Sequence, residues 1–135
     1  LAHCQGTGIY HYHMAHGCML NPPNTTLSPC SNNSCSANIS AHSLTSFNNY
    51  QTRTVIGLAK DGHVIFGPYL SSNTRVTSGF DVCNGMFYDN IGNYGYFATS
   101  TYPYLVGCFG PGNYPSFGVN CTSNGVSSYT MSTFA

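Results

Sequence analysis

Polar and apolar side chains alternate in several short segments of this chain, a pattern typical of β-strands. Residues 9–14 read Ile-Tyr-His-Tyr-His-Met, and successive side chains of an extended strand point to opposite faces. A second apolar segment, residues 54–59, leads through Lys60-Asp61-Gly62 into residues 63–66. Because Asp-Gly is a strong signal for a tight turn, these two segments are predicted to form a β-hairpin. A further strand is predicted over residues 94–99.

The composition also favours strands over helices. Leu, Ile, Val and Phe account for 27 of the 135 residues, and 11 Tyr and 15 Gly accompany them, which suits aromatic strands joined by tight turns. Glu is absent, and no segment sustains a 3.6-residue apolar period. We therefore predict a mainly β fold: a single disulfide-stapled, antiparallel, sandwich-like domain over residues 1–135 with long polar loops. Residues 1–7 and 125–135 are candidate flexible or strand-exchanging arms.

Formally charged side chains are confined to the middle of the chain. All six lie between Arg53 and Asp89, and they sum to a net charge of zero. Nucleic acids and acidic membranes are bound by clustered Lys and Arg, so neither is an expected partner. A surface without charge repulsion favours association, and uncharged ends can add as strands to a neighbour's sheet edge. The expected partner is therefore another copy of the chain.

Seven cysteines in a chain of this length indicate an oxidising compartment, because free thiols would be hard to maintain on so uncharged a surface. Up to three disulfides are expected. Cys30 and Cys35 are one candidate staple, and Cys4 and Cys18 are further candidates. No apolar stretch reaches the ~20 residues needed to cross a bilayer, and no signal peptide is visible. Since the first residue is Leu1, we expect a mature, secreted, extracellular product.

Four Asn-x-Ser/Thr acceptors for N-linked glycans occur, at Asn24, Asn32, Asn38 and Asn120. Chance would produce nearly as many in so Asn-rich a chain, so their number carries little weight. Their placement is more informative, because three of them fall in residues 21–40, a segment rich in Asn, Pro and Ser that we expect to be an exposed loop. Glycans there would supply the solubility that charge does not.

Two histidines in the first predicted strand are the main candidates for chemistry. His11 and His13 are two residues apart and should project from one face, where two imidazoles can share a divalent cation. Further ligands would come from His3, His16 or a carboxylate elsewhere in the fold. The alternative is that the Tyr-His alternation only fills an aromatic, hydrogen-bonded sheet face.

Several short motifs resemble the YHYH-domain family, which is named for Tyr-His-Tyr-His and has no established biochemical activity. The resemblance covers most of residues 8–110. In chain order the motifs are Gly8-Ile-Tyr-His-Tyr-His13, Ile56-Gly57 with Asp61-Gly62, Ile65-Phe66-Gly67-Pro68-Tyr69, Asp81-Val-Cys-Asn-Gly85, and Thr101-Tyr-Pro-Tyr104 followed by Gly107-Cys108.

The resemblance implies a disulfide between Cys83 and Cys108, since both lie in family motifs and flank strands expected to lie side by side. It also makes Asp81, at the family's acidic position, a candidate metal ligand, the alternative being a turn carboxylate bonded to backbone amides. Two departures stand out. Tyr94-Gly95-Tyr96-Phe97 replaces the family's second Tyr-His-Tyr-His, and His63, expected to be an exposed strand residue, replaces an aromatic.

These features favour a secreted, self-assembling structural glycoprotein of a surface fibre or filament over an enzyme. With no Glu and only three Asp, of which Asp61 is better explained by its turn, no catalytic residue is assigned. No nucleophile-elbow motif occurs, although a Ser-His-Asp set that meets only in space stays open. A secreted metal-dependent enzyme, or a monomeric module that binds a small ligand or glycan, is the alternative.

Overall fold

The structure, a computed structural model, describes residues 2–20 and 38–112. The predicted mainly β fold is confirmed, because short strands dominate these residues. The elements are β1 (Ala2–Cys4), β2 (Tyr10–Tyr12), a 3-10 turn (Gly17–Met19), α1 (Ile39–Thr45), β3 (Val55–Leu58), β4 (Val64–Phe66), β5 (Tyr69–Ser71), β6 (Thr74–Arg75), β7 (Gly85–Phe87) and β8 (Tyr94–Phe97). None of the helices in the described part of the chain is long and apolar enough to cross a bilayer.

A four-stranded sheet in the order β3-β4-β8-β7 carries most of the fold. The predicted hairpin over residues 54–66 is confirmed as the antiparallel pair β3–β4. Its turn depends on Gly62, whose φ of 92° is accessible to glycine at little cost. Two smaller antiparallel pairs, β1–β2 and β5–β6, stand apart from this sheet.

The predicted antiparallel pairing holds for four of the five strand pairs in the described residues, and one pair departs from it. Strands β4 and β8 run parallel, with Ile65 opposite Tyr96 and Phe66 opposite Phe97. A parallel pair needs a connection of a dozen residues or more. Residues 67–93 provide it, and they contain both β5–β6 and β7. The other sheets in the described residues are the two-stranded pairs β1–β2 and β5–β6, so these residues contain no second sheet of comparable size.

Strand β8 is the centre of the core because both of its faces are buried. Tyr94 and Tyr96 point to one face, where they pack with Cys83. Phe97 points to the other face and contacts Phe66, with 5.2 Å between ring centroids. Strands covered on both sides read as continuous apolar runs rather than as alternating ones. This explains why residues 94–97 contain no charged side chain.

Helix α1 was not predicted, and its first residues lie at the end of the segment that was expected to be an exposed loop. Asn38 caps the helix, since its Oδ1 accepts hydrogen bonds from the backbone N–H of Ala41 at 3.1 Å and from the Ser40 hydroxyl at 2.9 Å. Leu44 and Ser43 are buried against the core. The helix has only seven residues, so no apolar period could reveal it, and its stability comes from the cap and from packing.

Cys83 and Cys108 form the predicted disulfide, which joins the turn before β7 to the loop after β8. The candidate arm at residues 1–7 contains β1, which pairs with β2 of the same chain. Several predictions lie outside the described residues: the glycan acceptors Asn24, Asn32 and Asn120, the cysteines Cys30 and Cys35, and the arm at residues 125–135.

We expect the double variant Cys83→Ala/Cys108→Ala to lose about 3 kcal/mol of unfolding free energy, because the disulfide closes a loop with a sequence separation of 25 residues. Urea unfolding of wild type and variant, both without reductant, measures the loss while leaving the other cysteines as they are. An unchanged unfolding midpoint would show that the bridge does not hold these two segments together.

Candidate functional site

The β1–β2 hairpin presents two different faces, as the alternation of its side chains predicts. His11 and His13 lie together, with ring centroids 4.8 Å apart and an angle of 56° between ring planes. Tyr10 and Tyr12 form a second pair, with ring centroids 5.7 Å apart in an edge-to-face arrangement. The prediction that the two histidines share a face is therefore confirmed.

The register of the β1–β2 hairpin places another histidine, His3, opposite His11. The Nδ1 of His11 lies 3.4 Å from the carbonyl oxygen of Ile9, and a proton on Nδ1 would leave Nε2 as the ligating atom. Among the side chains that the structure describes, no three or more of His, Cys, Asp or Glu are grouped as metal ligands.

His16 and His42 form a second histidine pair, between the 3-10 turn and α1, with ring centroids 6.5 Å apart. Burial and the proximity of His42 lower the pKa of His16. A lowered pKa keeps the His16 imidazole neutral at neutral pH, so this pair packs without charge repulsion. The close approach of the turn to α1 depends on Gly17, where a Cβ would overlap the backbone of Ser46.

Asp81, the carboxylate predicted as a metal ligand, is not grouped with His11 and His13 but lies buried in the core, only 3% exposed. Its Oδ1 accepts hydrogen bonds from the backbone N–H groups of Cys83 at 2.9 Å and Gly85 at 3.1 Å. Its Oδ2 accepts from the Tyr94 hydroxyl at 2.8 Å and from the N–H of Gly112 at 2.6 Å. Asp81 is therefore a turn carboxylate bonded to backbone amides, which was the alternative interpretation.

Two glycines make room for the hydroxyl that completes this network. A Cβ at Gly85 or at Gly110 would overlap the hydroxyl of Tyr94. Burial, followed by the hydrogen bond to Asp81, raises the pKa of Tyr94. Tyr94 is therefore a neutral donor at any physiological pH, which is what the carboxylate oxygen of Asp81 requires.

A second carboxylate lies at the Asp61-Gly62 turn and binds a histidine that sequence reasoning did not connect to it. Asp61 Oδ2 accepts from His63 Nδ1 at 3.0 Å and from the hydroxyl of Tyr96, while Oδ1 accepts from the backbone N–H of His63 at 3.2 Å. His63, which was expected to be an exposed strand residue, is instead partly buried, with ring centroids 5.0 Å from Tyr94 and 5.9 Å from Tyr96. The contact between Asp61 and His63 could have been predicted from their Asp-x-His spacing within a tight turn.

The protonation states of this group follow from its contacts. Burial alone would raise the pKa of Asp61, but hydrogen bonds from Tyr96 and His63 outweigh it and lower the pKa to about 2. Burial and the bond to Asp61 raise the pKa of Tyr96 to about 12. An ionised carboxylate that holds Nδ1 of a histidine leaves Nε2 as the atom that can accept a proton or bind a ligand.

Comparison with known proteins gives one match. The model of a family described as YHYH protein matches residues 1–79, which include the hairpin, α1 and strands β3–β6. Asp81 and the Cys83–Cys108 disulfide lie beyond the matched residues. No curated protein and no solved structure matches the chain.

We expect Tyr94→Phe to lower the free energy of unfolding by about 1–3 kcal/mol, because it removes a hydrogen bond from a buried carboxylate oxygen. Tyr88→Phe is the matched control. The Tyr88 ring also packs in the core, 5.3 Å from Phe66, but its hydroxyl donates no hydrogen bond within the described residues. Urea unfolding gives the free energy of unfolding of both variants. The difference between them measures the hydrogen bond, because each variant loses a hydroxyl but only Tyr94→Phe also loses a hydrogen bond to Asp81. Equal stability of the two variants would contradict the role assigned to Asp81.

Proposed function

The chain belongs to the YHYH protein family, and we propose that it is a secreted structural glycoprotein whose copies assemble into an extracellular fibre or filament. The observation that carries the proposal is the exposed apolar surface of the β1–β2 hairpin. Ile9, Tyr10 and Tyr12 are 60%, 58% and 60% exposed, although all three are large apolar or aromatic residues. We call the side chains of Tyr10 and Tyr12, which pack against each other, the aromatic face.

The β1–β2 hairpin is not expected to be stable by itself. A two-stranded ribbon in water is marginal unless another layer covers it, and β1–β2 pairs with no further strand in the described residues. A neighbouring molecule packed on the aromatic face would bury this surface and provide the missing layer. Tyr is also the residue type that suits such contacts, because it combines a large apolar ring with a hydroxyl.

The distribution of charge supports a second copy of the chain as the neighbour. Formal charge is absent from the first 52 residues, so two hairpins can approach without desolvating or opposing charged groups. Strand β3 offers a second contact, because it lies at the edge of the four-stranded sheet and its Val55 and Leu58 are exposed. Two contacts on different surfaces of one protomer propagate into an open array rather than closing as a dimer.

An acid–base activity is the second candidate, and the Asp61–His63 pair is the observation that favours it. A carboxylate on Nδ1 with Nε2 left available is the arrangement of a general base. A monomeric chain whose hydrolytic activity disappears in His63→Gln would support this candidate and would contradict the structural one.

We expect Tyr10→Thr/Tyr12→Thr to abolish assembly, because it removes both rings of the aromatic face while keeping residues that favour strands. Ile91→Thr is the matched control, since Ile91 is 80% exposed but lies in the turn between β7 and β8. Electron microscopy and sedimentation velocity should show large assemblies for wild type and control that persist in high salt, because few of their contacts are ionic. A monomeric wild type at high concentration, or an assembling Tyr variant, would overturn the proposal.

We expect protein from its native source to carry a glycan on at least one of Asn24, Asn32 and Asn38. Asn38 itself caps α1, and Ser40 of its acceptor triplet is buried, so Asn24 and Asn32 are the stronger acceptors. Enzymatic deglycosylation followed by mass spectrometry of the peptides checks this. A mass that does not change on deglycosylation would remove the glycoprotein part of the proposal.

A further inference from the structure

The contact between the 3-10 turn and α1 attaches the β1–β2 hairpin to the rest of the fold. The backbone N–H of Gly17 donates a hydrogen bond to the Ser46 hydroxyl at 2.6 Å, and a Cβ at Gly17 would overlap the Ser46 backbone, so the two segments lie in close contact. Met14 and Ala15, which follow the hairpin in the chain, are 4% and 2% exposed. The attachment is therefore a short, tightly packed segment.

A pair of histidines spans this contact. His16 precedes the turn, His42 lies in α1, and their ring centroids are 6.5 Å apart. His16 is partly buried, whereas His42 is exposed. Two protonated imidazoles at this separation repel each other, and a protonated His16 is also less hydrated here than in water. The packing of the turn on α1 therefore favours the neutral form of His16.

The surroundings of His16 contain no carboxylate that balances its charge. Burial, then His42 and then the α-amino group at the start of the chain lower the pKa of His16. Residues 1–52 and 90–135 contain no Asp and no Glu. In the core cluster packed around Ala15, the only ionisable side chain is Tyr69. Protonation of His16 thus adds a positive charge that this part of the chain leaves unpaired.

We propose that the contact between the 3-10 turn and α1 is acid-sensitive, and that it opens when His16 and His42 are both protonated, which frees the β1–β2 hairpin from the body of the fold. A histidine exposed to water titrates near pH ~6.5. Because the closed contact lowers the pKa of His16, the opened form binds more protons once the pH falls below about 6.5, and acid favours opening. Above that pH the contact has its full stability. The inference goes beyond the proposed function and does not depend on it, since the contact lies within one chain.

The test measures amide hydrogen exchange in the full chain with the Tyr10→Thr/Tyr12→Thr substitutions, so that assembly through the aromatic face does not affect the result. The reporters are the N–H of Gly17, which is bonded to Ser46, and the N–H of Leu20, which is bonded to the Gly17 carbonyl oxygen. After correction for the intrinsic effect of pH on exchange, we expect opening at these amides to be about fivefold more frequent at about pH 5 than at about pH 7.5.

This range of pH isolates the histidines from two of the three carboxylates. In Asp61 and Asp89, hydrogen bonds outweigh the effect of burial and lower the pKa, to about 2 for Asp61. Both side chains therefore stay ionised throughout the measurement. Histidine is the side chain whose charge ordinarily changes in this interval.

Three variants identify which histidine is responsible. His16→Gln removes the buried proton-binding group, so opening at the reporters should no longer depend on pH. His42→Gln changes an exposed side chain and removes the neighbouring charge, so it should weaken the dependence and raise the pKa of His16 measured by NMR titration. His63→Gln, the matched control, changes a histidine at the Asp61-Gly62 turn and should preserve the full dependence.

Equal opening at both pH values in the parent chain would overturn the inference, and so would an undiminished dependence in His16→Gln. A dependence that is lost in His63→Gln and kept in His42→Gln would place the acid-sensitive group at the other turn and would also overturn it. Because these measurements are made on chains without the aromatic face, they do not test filament formation, which stands or falls by microscopy of the wild type.

Discussion

The fold depends on the hydrogen bonds that Asp81 accepts inside the core. A buried carboxylate is tolerated only when its oxygens are hydrogen-bonded, and here four donors meet that requirement. Two donors are backbone groups of the turn that begins β7, one is the Tyr94 hydroxyl of β8, and one is the N–H of Gly112. One side chain therefore fixes the turn, the central strand and the segment that follows it. The Cys83–Cys108 disulfide fastens the same region covalently.

The β1–β2 hairpin lies outside this network, and the separation has a functional consequence. Most core residues come after Arg53, and Ala15, Leu44 and Phe47 add to them from the uncharged first 52 residues, whereas the exposed hairpin side chains Tyr10 and Tyr12 do not belong to the core. The side chains of the hairpin contribute little to the buried core, so an exposed Tyr pair and a His pair can be displayed there at small cost to stability. The proposed contacts between copies thus use a surface that the core does not need.

The departure from the family resemblance at residues 94–97 also has a structural explanation. A side chain at Gly95 would collide with Phe66 and Tyr88, since even a Cβ would lie 2.9 Å and 3.2 Å from their rings. Phe97 is fully buried among apolar side chains, where a histidine would lack partners. Both positions belong to the core in this chain, so no second histidine pair can form there. The two tyrosines of the segment instead donate hydrogen bonds to Asp61 and Asp81.

The sequence by itself determined the mainly β class, the Asp61-Gly62 hairpin and the common face of His11 and His13, because each follows from interactions between residues close in the chain. The Cys83–Cys108 pairing was reached only through the family resemblance. Tertiary structure alone decided that β4 and β8 run parallel, that α1 forms on an Asn38 cap, and that Asp81 bonds Tyr94 rather than joining the histidines. It also brought Tyr96 to Asp61 from 35 residues away. Contacts of this kind depend on how distant segments pack, and local alternation carries no information about that packing.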